Sequence, residues 1–262
     1  MKITTIRNVT RQALKPDHFI VMIDKLRERL IDLRWHCVNP ENLKWVETHC
    51  SDFEDLAMRL DGALWAEAVA VSKTIKDNAQ QTLQKIDQVL GGGGVYPFLY
   101  FITRYMQPDC IVETGVAAGF SSYAFLLGLQ TNGRGTLYSS DFPYFRLPNP
   151  EQYIGIVVPD SLKPGWKLYT NGDKANLKKI ISEINTIDIF HYDSDKTYSG
   201  RVAAMSMIEG RLSERGVILM DDIQDNPYFY NYVKKRKPAA WRIFKFQGKY
   251  IGIIGELTNG LA

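Results

Sequence analysis

From Pro16 to about His36, Phe19, Ile20, Ile23, Leu26, Leu30 and Leu33 fall on one helical face, with Lys25, Arg27, Glu28 and Arg29 largely elsewhere. Asn39 followed by Pro40 predicts an N-cap and a first-turn proline, opening a short helix that reaches about Cys50. Ser51-Asp52-Phe53-Glu54 has the form of a capping box and starts a long helical pattern, broken near Gly62 and continuing to Leu90. No strand signal occurs in this part of the chain. Gly91 to Gly94 read either as a flexible linker or as a fixed turn near a ligand, and VYPFLYFITRYM (95–106) behind them predicts a packed helix.

After Asp109 the period changes. Strand patterns at 110–114, 136–141, 166–172, 187–193 and 216–222 alternate with helical ones at 119–130, 173–184 and 198–212. Such alternation predicts a parallel α/β sheet covered on both faces. WRIFKFQ (241–247), Gly248 and KYIGIIGE (249–256) then read as a β-hairpin, which places one antiparallel strand in an otherwise parallel sheet. The expected organisation is an all-helical extension over 1–94 and a doubly wound α/β domain over 95–262. The extension is a candidate lid, substrate pocket or dimer interface.

Composition narrows the setting. A length of 262 residues suits one large domain, or a domain with an extension, and 45% hydrophobic with 23% charged residues is ordinary for a globular protein. A net charge of +3 is too small to argue for nucleic acid. The basic run Lys234 to Lys237 reads as an anion-binding patch or as a solvated helix end with cations on its C-terminal dipole. Cys37, Cys50 and Cys110, without a C-x-x-C, suit a reduced cytoplasmic protein. MKITTIRNVTRQ lacks the apolar centre of a signal peptide, and no apolar run is long enough for a membrane. His18, His36 and His49 show no metal-binding spacing, and Trp35, Trp45 and Trp65 read as core or inter-helix contacts or, for one of them, as the lining of a substrate pocket.

Candidate chemistry gathers at the strand ends. IVETGVAAGFSS (111–122) predicts a buried strand, a tight glycine turn and a helix start, where a nucleotide-like ligand meets close backbone and unpaired N–H groups. The spacing Glu113-x-Gly115-x-x-x-Gly119 is not that of a dinucleotide fold, because Ala117 and Phe120 take the second and third glycine places. Ser121 and Ser122 open the helix. Glu113, Asp141, Asp193 and the pair Asp221–Asp222 fall at the carboxyl ends of strands, with Gly172–Asp173 after a further one, where open α/β sheets bind ligands. Asp141 reads as a ribose-hydroxyl acceptor or as a turn residue before Pro143. Glu113 could orient the loop or meet the cationic end of a ligand, and Asp173 could cap a helix or contact adenine. Asp193, Asp221 and Asp222 are hard oxygen donors suited to Mg²⁺ or Ca²⁺. Lys196 is a candidate general base if metal or burial lowers its pKa, and otherwise a salt-bridged lysine. His191, on the same strand face as Asp193, is a candidate base or a buried structural histidine.

As a set, these motifs resemble the class I S-adenosylmethionine-dependent methyltransferases over about residues 91–256. The resemblance implies a doubly wound, seven-stranded, mostly parallel sheet ending in an antiparallel hairpin. VETGVAAGFSS is similar to the family's first motif, which implies that Glu113, Gly115, Ala117, Gly119, Ser121 and Ser122 loop around the methionine part of the cofactor. Asp141 then matches the ribose-binding acid, Gly172–Asp173 the adenine-side motif, and Asp193 lies beside the cofactor. IDIFHYDSDKTYSGRVAAMSMIEGRLSERGVILMDD (187–222) resembles the small-molecule O-methyltransferases, both the metal-dependent catechol and caffeoyl-coenzyme A type and the macrolide-sugar type. That implies a divalent metal at Asp193, Asp221 and Asp222, with Asp222 departing from the asparagine of the catechol type. It also implies Lys196 or His191 as base, and in-line methyl transfer to a hydroxyl of a small molecule. Tyr144, Phe145 and Tyr198 could face that acceptor or simply pack. Rival readings are an N-methyltransferase, an aminopropyl transferase on the same fold, and a non-catalytic cofactor-binding protein. The expected partners are a small-molecule acceptor and a second copy of the chain in a dimer, with neither nucleic acid nor membrane.

Overall fold

The computed structural model describes residues 3–32, 40–86, 90 and 94–260. Leu33, Trp35, His36, Cys37, Asn39 and Gly91 to Gly93 lie outside the described residues. The helical part comprises α1 (Ile3–Ala13), α2 (Pro16–Asp32), α3 (Pro40–Thr48) and α4 (Phe53–Leu83). Between α3 and α4 lies a two-residue strand, β1 (Cys50–Ser51). The alternating part runs α5 (Tyr96–Met106), β2 (Cys110–Thr114), α6 (Phe120–Asn132), β3 (Thr136–Ser140), β4 (Trp166–Tyr169), α7 (Asp173–Glu183) and β5 (Ile187–Tyr192). It ends with α8 (Tyr198–Ile208), β6 (Leu212–Met220), α9 (Tyr228–Arg236), β7 (Trp241–Phe246) and β8 (Lys249–Ile254).

Among the described residues the sheet has eight strands in the order β1-β7-β8-β6-β5-β2-β3-β4, with β8 antiparallel to both of its neighbours. The expected seven strands are all present. The eighth is β1, pairing Cys50 with Ile243 and Ser51 with Phe244, a segment too short to show any periodicity. Because Ser51 belongs to that strand, the cap shifts by one residue: Asp52 accepts from the backbone N–H of Glu54 at 2.7 Å. The break in α4 falls at Asp61 (φ −160°, ψ 97°), next to Gly62, where Asp61 Oδ1 accepts from Leu64 N–H at 2.9 Å. α4 stops at Leu83, short of Leu90, and α8 stops at Ile208, so that β6 begins at Leu212. Lys234, Lys235 and Arg236 occupy the last turn of α9, which matches the helix-end reading.

One face of the sheet packs Phe98, Leu99, Phe101, Phe125 and Phe244 under α4, α5 and α6. The other packs Leu177, Ile180, Phe190, Met205 and Phe229 under α7, α8 and α9. Trp65 is buried against Phe53 and Phe101, and Trp45 stacks on Trp241 with centroids 5.1 Å apart. The apolar face expected to bury α2 does not do so. Phe19, Ile23, Leu26 and Leu30 are 49–61% exposed, while Val21 packs toward Gly172. Helical period shows that a helix has an apolar side but not which neighbour covers it.

Candidate cofactor and acceptor site

The first helix-starting loop of the alternating half is pinned from every side. Gly115 N–H donates to the Ser140 carbonyl at 2.8 Å, and Asp193 N–H to the Thr114 carbonyl at 2.9 Å, tying the end of β2 to both flanking strands. Gly115 has φ +85°, and a Cβ there would lie 2.2 Å from the Asp193 carbonyl oxygen, so only glycine fits. Ala117 holds φ +50° where a dinucleotide fold has glycine. Asp141 Oδ2 accepts from the N–H groups of Val116 at 3.0 Å and Ala117 at 2.8 Å, so the carboxylate ending β3 fixes the shape of the loop after β2. The 142–165 segment lies over this loop: Gly155 N–H donates to the Ala117 carbonyl at 2.9 Å and Val157 N–H to that of Ala118 at 3.0 Å.

Val21, Gly172, Asp173, Asp195, Gly200 and Met207 are among the residues lining a cavity of about 290 Å³ between α2, α7 and α8. Gly172, not Asp173, is the N-cap of α7, and Asp173 Oδ1 accepts from Ser140 Oγ at 2.7 Å. The loop, Asp141 and Gly172–Asp173 therefore form one continuous border at the carboxyl ends of β2, β3 and β4. β5 flanks β2 on the other side, so the border begins where the strand order reverses.

Three residues expected in the loop's ligand surface, Glu113, Ser121 and Ser122, are buried. Glu113 is fully buried, its Oε2 accepting from Ser122 Oγ at 2.5 Å and from Ser139 Oγ at 2.9 Å. Its other oxygen faces His191 Nδ1 at 3.7 Å, and His191 Nε2 faces Asp221 Oδ1 at 3.5 Å. Sheet register explains the line: Ser139, Glu113 and His191 are direct partners across β3, β2 and β5, with side chains on one face. Ser121 is buried in the first turn of α6.

His191, read as a base or as a buried structural histidine, lies in this buried row. It is fully enclosed, and although burial acts to lower its pKa, the two carboxylates outweigh it and raise the pKa to about 10. Lys196 ion-pairs with Asp193 and sits 3.0 Å from Asp222 Oδ2. Burial acts to depress its pKa, but Asp193, Asp222 and Asp221 together hold the ammonium above its ordinary value. Asp193, raised by burial and by the charge of Asp221, moves to about 6. Asp222 has φ +54°, and its Oδ2 also takes Lys249 at 3.1 Å. Burial pushes its pKa up, but the two lysines overcome this and lower it.

Residues 112–223 match the family described as a methyltransferase domain. The chain resembles that family over this stretch. Its fold is that of the class I S-adenosylmethionine-dependent enzymes. Among solved structures, the chain is similar to the O-methyltransferase TomG from Streptomyces achromogenes, involved in tomaymycin synthesis and in complex with SAM. That likeness has 12% identity, covers 69% of this chain and 88% of that one, and has a TM-score of 0.52. A methyltransferase from Geobacter sulfurreducens is 15% identical over 70% of this chain and 89% of its own, with a TM-score of 0.52. An O-methyltransferase from Bacillus cereus, in complex with SAH, is 15% identical over 80% of this chain and 100% of its own, with a TM-score of 0.51. No curated protein matches the chain.

Several residues that shape this site escaped sequence reasoning. Arg201 is fully buried, and its Nη2 donates to the carbonyls of Asp221 and Asp222, both at 2.9 Å. A lone arginine in the otherwise small and apolar helix SGRVAAMSMI was the available signal. Lys249 arrives from β8 and carried no signal. Gly94 closes over the acids: a Cβ there would lie 2.6 Å from Asp221 Oδ2, so the end of the glycine run is a fixed close approach rather than a linker. Asn42 on α3 donates to the carbonyls of Ile223 at 3.1 Å and Asn226 at 3.2 Å, holding the loop behind the acid pair.

Proposed function

We propose that this methyltransferase moves the methyl group of S-adenosylmethionine to a hydroxyl oxygen of a small molecule. The carrying observation is Asp141: its Oδ2 accepts from the N–H groups of Val116 and Ala117, which joins the carboxylate ending β3 to the glycine loop at the switch point, and we assign it the ribose hydroxyls. Two structural neighbours described as O-methyltransferases, one with SAM and one with SAH, support the choice of cofactor and of oxygen as acceptor. The cofactor, once bound, supplies an electrophilic methyl on a sulfonium sulfur. Asp141 orients the ribose, the 115–119 backbone holds the methionine part, and Gly172–Asp173 borders the adenine. Val21 of α2 then closes the adenine end as part of a lid.

Asp193 and Asp221 fit a divalent cation as oxygen donors, since one donor atom from each and one from His191 lie within 4.8 Å of one another. Asp222 fits less well, because two lysines take its Oδ2. A dication held there would supply positive charge that acidifies an acceptor hydroxyl and opposes the acids' pull on Lys196. Lys196, beside Asp193 and Asp222, is the residue we assign to take the hydroxyl proton. Gly94 and the 142–165 segment keep water from the reacting atoms.

Exposed Phe19, Ile23, Leu26 and Leu30 repeat at four-three-four spacing, a seam suited to the same helix of a second copy, and we assign the chain a dimeric state. Free Cys50 and Cys110 suit a reducing, cytoplasmic setting. No described helix is long and apolar enough to cross a membrane.

Calorimetric titration of S-adenosylmethionine into wild type and Asp141→Ala tests the core of this reading, followed by mass-spectrometric detection of methyl addition on a panel of hydroxyl compounds. Binding that survives Asp141→Ala unchanged, or methyl addition confined to amines, overturns it.

A further inference from the structure

We infer that His191 Nε2, with Asp193 and Asp221, is the third protein ligand of a first-row transition-metal dication such as Mn²⁺, Co²⁺ or Zn²⁺. Asp222 is then a lysine-held acid outside the coordination shell. The inference rests on the methyl-transfer reading for its purpose but on separate observations for its ligands.

Four buried polar atoms face one another without a hydrogen-bond partner: Glu113 Oε1, both ring nitrogens of His191 and Asp221 Oδ1. His191 is completely enclosed and the Asp221 side chain is 3% exposed, so solvent does not satisfy them. The order of these groups is that of a metal-bound imidazole. One carboxylate, Glu113, stands behind Nδ1 at 3.7 Å, and another, Asp221, stands beside Nε2 at 3.5 Å. A ligating histidine characteristically gives its second ring nitrogen to an outer carboxylate, which sets the ring's tautomer and direction. Ser122 and Ser139 in turn fix Glu113, so that outer group is itself held in place. Asp193 completes the set, with one donor atom from each of the three residues inside a 4.8 Å span. Its side chain is 20% exposed and forms the open side through which an ion and an acceptor oxygen enter.

Asp222 is disfavoured by its own contacts. Its Oδ2 lies 3.0 Å from Lys196 and 3.1 Å from Lys249, so a dication there would have to displace two ammonium groups, whereas Asp193 pairs with Lys196 alone. An imidazole with two carboxylates selects differently from three carboxylates: nitrogen donors suit transition metals, whereas Mg²⁺ and Ca²⁺ require oxygen. On binding, Nε2 directs its lone pair to the ion, any proton it carries leaves to solvent, and Nδ1–H stays turned to Glu113.

The test uses the metal-stripped full chain and the metals alone. Calorimetry should show Mn²⁺ or Zn²⁺ binding at least about tenfold tighter than Mg²⁺, a preference lost in His191→Gln and kept in Asp222→Asn. Should His191→Gln fail to fold, a folded-state reading comes from ¹⁵N-histidine NMR of a chain with His18, His36 and His49 replaced by Gln, leaving one imidazole of the four histidines. Zn²⁺ should shift its Nε2 resonance, and Co²⁺ should broaden it. Zn²⁺ binding that leaves the imidazole unmoved, or binding lost in Asp222→Asn, overturns the ligand set while leaving methyl transfer intact. So does cofactor binding and turnover in a protein that takes up no metal. Failure to bind S-adenosylmethionine strikes the functional reading instead, and the metal titration is then judged by itself.

Discussion

Gly115→Ala perturbs the point where the glycine loop meets β5. Two effects act there, and a second glycine separates them. Gly133 caps α6 at φ +68°, and a Cβ there would meet nothing within 4 Å, so Gly133→Ala adds only backbone strain, about 1–2 kcal/mol. Gly115, at φ +85°, carries the same strain and also places a methyl 2.2 Å from the Asp193 carbonyl oxygen. Overpacking of this kind adds about 1–3 kcal/mol, which brings Gly115→Ala to roughly 2–5 kcal/mol. Urea unfolding of both variants, followed at equal protein concentration, measures the difference. The backbone must also retreat from Asp193, so S-adenosylmethionine affinity should fall about tenfold or more in Gly115→Ala, equivalent to about 1.4 kcal/mol, and stay unchanged in Gly133→Ala. Equal destabilisation by the two substitutions would refute the contact between the loop and the end of β5. Unchanged affinity in Gly115→Ala would refute the placement of the cofactor on that loop.

Asp141→Asn leaves Val116 and Ala117 N–H groups with a neutral acceptor in place of a carboxylate. It should lower stability by about 1–3 kcal/mol in a thermal melt and weaken cofactor binding in calorimetry. Arg201→Met removes the donor to the Asp221 and Asp222 carbonyls and should lower stability by about 2 kcal/mol or more in urea, with no loss if those carbonyls find other donors. In the metal-free protein, His191, raised to about 10 from 6.5, binds its proton more tightly folded than unfolded. Its contribution is complete below pH 6.5 and is lost as pH rises toward 10, so stability should decline across that window by up to about 1.4 kcal/mol per pH unit. Urea midpoints at neutral and alkaline pH should show that slope in wild type, and His191→Gln should remove it.

Much of this protein was legible in one dimension. The change from helical to alternating period at Asp109, the order of strands and helices, and the closing hairpin all follow from local burial pattern, because a strand covered on both faces must be continuously apolar. So did the acids at strand ends and the glycine at position 115, since few other residue types suit those places. What tertiary structure decided was direction and partnership. Period-2 counting put His191 and Asp193 on one face, yet only the register of β2, β3 and β5 showed Ser139, Glu113 and His191 in a buried row. Glu113 and Ser122 then point at each other rather than at a ligand. The same holds for charge. Asp222 and Lys249 are 27 residues apart, and their pairing depends on β8 lying beside β6. Asp193, three residues before Lys196, raises its proton affinity locally, but Asp221 and Asp222 around Lys196, like Glu113 and Asp221 around His191, are brought there by the fold. The exposed seam of α2 makes the same point from outside, because an apolar helical face demands cover while its spacing does not say which surface supplies it. Local pattern is set by neighbours along the chain, whereas protonation, ligand sets and docking depend on distances that exist only once the sheet has closed.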